Sequence, residues 1–145
     1  DDRLHHRHLA ALHVLEHLDR LIVRCRSTKP LRVARSLSEL SDIRDRLVTA
    51  IACDFSDHEE STNAREELGD IWKAIDGFVE PHRREVMKRT ATGETPIDKA
   101  MSELDASRSL RRVCYHAWRI LHHLREQPTT ASTNDLEPEP ANGFD

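Results

Sequence analysis

One twelve-residue segment occurs twice in this chain. His13 to Arg24 reads H-V-L-E-H-L-D-R-L-I-V-R, and Arg112 to His123 reads R-V-C-Y-H-A-W-R-I-L-H-H. Laid side by side, Val14 meets Val113, His17 meets His116, Arg20 meets Arg119 and Leu21 meets Ile120. Both copies lie in helical sequence, and each places a His and an Arg three residues apart on one face. A duplicated helix implies a duplicated supersecondary unit, and two matched helices can bring two matched polar faces together.

The chain is predicted to be all-α, an antiparallel up-down four-helix bundle over residues 1–126, because four apolar stripes recur at helical period and no strand pattern competes. The first helix spans 3–26, with a stripe of Leu4, Ala11, Leu15, Leu18, Ile22 and Cys25. Ser27, Thr28 and Lys29 read as loop, and Pro30 as a stop. A second helix spans 36–56. Its start is S-L-S-E (Ser36 to Glu39), the pattern of a capping box, and Leu37, Leu40, Ile43 (or Arg44), Leu47 and Ile51 run along it. A third, 63–91, starts at Asn63 as N-cap and carries Leu68, Trp72, Ile75, Val79 and Val86 in one phase across Pro81. That constancy of phase predicts a kinked but continuous helix. Thr92-Gly93 closes it as a glycine C-cap. The fourth, 97–126, opens with Thr95 as N-cap, Pro96 and Asp98. Ala100, Leu104, Ser107, Leu110 (or Arg111), Cys114, Ala117, Leu121 and Leu124 trace its buried side, and Pro128 breaks it. Residues 127–145 are rich in Pro, Thr, Asn and Glu and read as a disordered acidic tail.

Charge narrows the function. The chain carries 22 Lys and Arg against 26 Asp and Glu. Residues 127–145 hold Asp135, Glu137, Glu139 and Asp145 and no base, so residues 1–126 are neutral. Bulk charge therefore recruits no nucleic acid. Cys25, Cys53 and Cys114 are scattered and form no C-x-x-C, which speaks against a zinc knuckle or a disulfide framework and fits a reducing compartment. No apolar run is long enough to span a bilayer, and no signal peptide is visible. The abrupt start at Asp1-Asp2, without Met, suggests a piece of a longer protein.

L-R-R-V-C-Y-H-A-W-R-I (Leu110 to Ile120) resembles the third-helix signature of PhoU-like domains, L-E-R-I-G-D-H-A-E-N-I. A-T-G-E-T-P (Ala91 to Pro96) and L-D-A-S-R-S-L-R-R (Leu104 to Arg112) fit the same pattern. The combination resembles the PhoU-like cytoplasmic tail of bacterial sodium/phosphate cotransporters, over about residues 8–126. The resemblance implies repeats of three helices, each closed by the signature. The first predicted helix would end an incomplete first repeat, and the other three would form a complete second one. It further implies a non-catalytic regulatory module at the cytoplasmic face of the inner membrane. Such a module would act by docking on a membrane transporter domain in the same or a partner chain, and would be a homo-oligomer. The family's metal clusters rest on an acidic pair spaced Glu-x-x-x-Asp. Here the matching positions are Arg111 and Tyr115 in one copy and Leu12 and Glu16 in the other, so no metal site or other cofactor is carried over.

Three constellations remain. His13, His17, Arg20 and Arg24 share one helical face, and Arg112, His116, Arg119 and His123 share another. If the two helices are neighbours, His17, Arg20, His116 and Arg119 offer an anion-binding site for an oxyanion such as phosphate. The plainer alternative is that these bases pair with Asp42, Asp45, Asp70 and Asp76. Histidine density raises a second possibility, a hemerythrin-like metal-binding four-helix bundle built on His13, His17, His58, Glu59 and His116. It lacks a second helical His/carboxylate pair, because His58-Glu59-Glu60 is read as loop. Third, no nucleophile elbow or P-loop is present, so no catalytic residue is assigned and an enzyme is not expected. Trp72 and Trp118 read as core or interface anchors. The first helix should also expose part of its apolar surface, including Leu9, Leu12 and Leu21, if its natural neighbours are missing.

Overall fold

A computed structural model describes residues 2–53 and 58–125. The described residues form an all-helical bundle with no strand. Its helices are α1 (Asp2–Arg26), α2 (Thr28–Ser36), α3 (Ser41–Ile51), α4 (His58–Ala91) and α5 (Ile97–Arg125), with a 3-10 turn at Ser38–Leu40 between α2 and α3. The proposed disorder of residues 127–145 and the end of the second predicted helix, 54–56, lie outside the described residues.

The two long C-terminal helices follow the sequence closely. α4 runs unbroken through Pro81 and turns off at Gly93, where φ is 77°, the left-handed region that glycine enters without steric cost. Gly93 N–H donates to the Thr90 carbonyl at 3.1 Å, and Thr95 N–H to the Arg89 carbonyl at 3.1 Å, which satisfies the last turn. α5 then starts one residue later than the Thr95 cap implied. The Pro96 carbonyl accepts the first helical bond from Ala100 N–H at 3.0 Å, so Pro96 itself stands at the cap and Thr95 is buried behind it.

The middle of the chain departs from expectation in three places. Pro30 does not stop a helix; it lies in the first turn of α2, where its missing N–H is not needed. Ser36 is not a capping box but the last residue of α2, its hydroxyl donating back to the Val33 carbonyl at 2.8 Å. α4 begins at His58, five residues before Asn63, with Glu59 and Glu60 in its first turn against the positive end of the dipole. His58-Glu59-Glu60 is therefore helical rather than loop.

α5 is the central helix. It packs against α1, α2 and α4, while α3 packs against α4. Leu68, Ile71 and Ile75 of α4 meet Ala106, Leu110 and Cys114 of α5 in one core with Leu40, Ile43 and Leu47. Trp72 and Trp118 stack with centroids 5.0 Å apart and planes 3° from parallel. Gly69 permits this, because a Cβ there would stand 3.2 Å from Trp118 Nε1.

α1 faces the opposite way from its strongest stripe. Leu4, Leu15, Leu18 and Ile22 are exposed, as are Ala11 and Cys25. Val14 and His17 are the buried residues of this helix, with Leu21 partly covered. The helix carries two apolar faces, and the one docked on α5 is the one that bears histidine. Leu9 and Leu12 are exposed, at 41% and 61%, while Leu21 reaches the core.

Candidate functional site

The seam between α1 and α5 gathers the repeated faces. His17 and His116 lie in contact at its centre, Nδ1 to Nδ1 at 3.0 Å, with 7% and 4% of their surface exposed. Such a bond requires one ring to donate N–H and the other to accept, so at least one of the pair is neutral. His13 stacks on His123 at 5.0 Å, and His17 on His123 at 5.7 Å. At the other end Arg24 lies near Arg112. Residue numbers rise along α1 as they fall along α5, so the helices are antiparallel.

The contacts come in matched pairs. Under the alignment of the repeat, His17 and His116 exchange places, as do Arg20 and Arg119, His13 and Arg112, and Arg24 and His123. The His13–His123 stack then maps onto the Arg24–Arg112 approach. The influence of Arg119 on His17 maps onto that of Arg20 on His116. These are the relations a local two-fold axis between the helices produces.

Both central rings are held neutral. Burial lowers the His17 pKa to about 4, and the neighbouring His116, Arg119 and His123 push the same way against Glu16. Burial likewise lowers His116 to about 4, helped by Arg20, Arg24 and Arg112. A charged ring here would lose its hydration and face guanidinium groups at short range.

The four residues of the expected anion site are divided by this geometry. Arg20 lies with His116, and Arg119 with His17, on opposite sides of the histidine pair. Arg119 also sits 5.7 Å from the Trp118 ring as a cation over a π face. Arg20 donates to Glu16 Oε1 at 2.6 Å. Of the acids considered as alternative partners, Asp42 pairs with Arg46, Asp45 with Arg44 and Asp76 with Arg111, while Asp70 is exposed on α4. Of the metal-bundle candidates, Glu59 is exposed at the start of α4. Among the described residues no group of three or more His, Cys, Asp or Glu is placed to hold a metal ion. An open cleft of about 500 Å³ lies away from the seam, between α3 and α4, and Arg46 bridges it to Glu67 at 2.6 Å.

A second polar cluster has no counterpart in the sequence reading. Glu103 of α5, 5% exposed, accepts from Arg89 of α4 at 2.8 Å. Nearby, His82 is buried and stacks on Phe78 at 4.7 Å. Burial lowers the His82 pKa, opposed by Glu103 and Glu39. The only sequence signal was the seven-residue spacing of His82 and Arg89 on one face of α4. Cys114 is wholly buried and its thiol is pushed up to about 12 by desolvation, which leaves it inert as a nucleophile. No helix among the described residues is long and apolar enough to cross a membrane. No known family matches the chain, and neither a curated protein nor a solved structure matches it.

Proposed function

We propose that the chain is a non-catalytic regulatory module of a sodium/phosphate transport system, acting by docking at the cytoplasmic face of a membrane transporter. In this reading α1 closes an incomplete first repeat, α2 to α5 carry the second, and the bundle is of the PhoU-like up-down kind. The observation that carries it is the α1–α5 pair. Two segments alike in sequence lie antiparallel, with His17 against His116, as equivalent third helices of two repeats would. The test is phosphate uptake by the cell of origin. Deleting the codons for residues 1–126 in place should change sodium-dependent uptake of radiolabelled phosphate by about two-fold or more, the size of a typical regulatory coupling. Unchanged uptake, with the transporter still present in the membrane, overturns the reading.

The outer face of α1 is part of the same proposal. Leu12, Leu15, Ile22 and Val23 are 61%, 62%, 48% and 53% exposed on one helix. An apolar stripe of this length is normally covered. The isolated chain is therefore expected to dimerise through α1, with light scattering giving twice the chain mass at high concentration. The double substitution Leu15→Glu, Ile22→Glu should restore the monomer. A wild-type chain that stays monomeric would sink this expectation.

A further inference from the structure

The local two-fold splits the seam into two half-sites, and the side chains at equivalent positions differ. His17 and His116 are level with each other. In antiparallel helices a residue three positions beyond either one lies about 4.5 Å along the axis, in opposite directions. One half-site holds His13, His17, His123 and Arg119, and its rings stack. The other holds Arg20 and Arg24, three and seven residues past His17 on α1, and Arg112, four residues before His116 on α5; in antiparallel helices all three fall toward one end of the seam, and all three disfavour a charged His116. The first half is aromatic and packed. The second is a convergence of three cations from two helices.

The acids near this second half-site are few. Glu16 is bonded to Arg20. Asp105 acts on Arg112 against Arg24, Arg111 and Arg108. Arg111 is paired with Asp76 at 3.1 Å. Neither Arg24 nor Arg112 forms an ion pair among the described residues. Arg112 Nε is shut off from solvent with no acceptor, as is Arg119 Nε in the first half-site, so what sets the second apart is the number of cations gathered there. A sequestered N–H without a partner is costly, and the approach of Arg24 to Arg112 adds like-charge repulsion. A ligand rich in acceptors and negative charge relieves both. Guanidinium forks suit the oxygens of a compact oxyanion, and three forks from two directions suit a tetrahedral one better than a planar carboxylate.

We propose that Arg20, Arg24 and Arg112, with His116 beneath them, bind a tetrahedral oxyanion of the phosphate class and tie α1 to α5 through it. The site faces the solvent edge of the seam, where Arg20 is exposed and Arg24 and Arg112 are partly so. The bound anion bridges α1 to the central helix, so its occupancy sets how firmly α1 is held. A sensing role for the site rests on the transport reading. Binding by the purified chain does not, so either can fail alone.

The test is calorimetric titration of the purified full chain with inorganic phosphate, against chloride at matched ionic strength. The expected result is saturable binding of one phosphate per chain. Arg24→Gln and Arg112→Gln should each weaken it by about ten-fold or more, while Arg119→Gln in the opposite half-site should leave it within about two-fold. Arg20→Gln, at a half-exposed position, is a further variant that does not depend on tolerance of the seam. Phosphate should also raise the thermal midpoint of the wild type and not that of Arg24→Gln. Absence of saturable binding overturns the proposal, as does equal weakening by Arg119→Gln. A second arm offers vesicles of phosphatidylglycerol in phosphatidylcholine. Arginine-dependent vesicle binding without binding of free phosphate would assign the site to lipid headgroups and overturn the small-anion assignment.

Discussion

Lowering the pH from 7 to 4 is expected to release α1 from α5 and to cost the fold on the order of 3–6 kcal/mol. His17 and His116 have folded pKa values of about 4, below the ordinary value of 6.5. The unfolded chain takes up protons on these rings below 6.5, and the folded chain resists until about 4. Stability is therefore complete above 6.5 and drains away as the pH falls toward 4. Below that the two states bind equally and the loss stops. Both rings lie in one seam, so the effect is local before it is global. Urea unfolding at pH 7.0, 5.5 and 4.5 should show the falling midpoint. Hydrogen exchange should show α1 amides opening ahead of those in α4. The double variant His17→Leu, His116→Leu should remove most of the dependence over this window, leaving the part that His82 contributes. A wild-type midpoint that is level from pH 7 to 4.5 would contradict the assignment.

Glu103→Ala is expected to destabilise the bundle by about 2–4 kcal/mol, well above the effect of a surface acid. Glu103 is 5% exposed and holds Arg89 at 2.8 Å between α4 and α5. Truncation strands a guanidinium whose Nε is already without an acceptor. It also removes an acid that favours the charged form of His82. Glu80→Ala is the control. Glu80 pairs with Arg83 and Arg84 at 3.5 Å on the open face of α4, and its loss should cost about 0.5 kcal/mol or less. Denaturant midpoints for the two variants that agree within error would refute the buried role of Glu103.

Much of this architecture could be read from local pattern, and the failures have definite causes. α4 and α5 were legible because their stripes are long and in phase and Gly93 marks the turn between them. α2 was missed because a proline in the first turn of one helix and a proline after the end of another look alike in sequence; Pro30 comes three residues after Ser27, and Ser27 alone separates α1 from α2. The orientation of α1 was missed because two faces compete. Leu4, Leu15, Leu18 and Ile22 make the more apolar stripe, yet the partner surface on α5 carries His116 and His123 and selects the face with Val14, His17 and Leu21. Periodicity ranks faces by hydrophobicity and has no knowledge of what lies opposite. The pairing of His17 with His116 was accessible because a repeat that packs on itself sets equivalent residues together. The division of Arg20 from Arg119 was not, since it depends on the direction in which the helices run. Glu103 and Arg89 meet through tertiary packing alone.

The docking of α1 has a consequence for the order in which the chain assembles. His17 and His116 are 99 residues apart in sequence. α4 and α5 are separated only by residues 92–96 and bury the center of the core against each other. Closing the short loop loses less chain entropy and occurs earlier, so the α4–α5 hairpin forms the nucleus and α1 arrives last. On the ribosome the sequence of events is less favourable. α1 emerges before α4 and α5 and waits until both are made before its partner exists. For that interval both of its apolar faces are in water, the one that will meet α5 and the one that faces outward in the finished fold. Nascent α1 is thus a segment in need of a holding chaperone, and the speed of translation through α4 and α5 sets how long that need lasts.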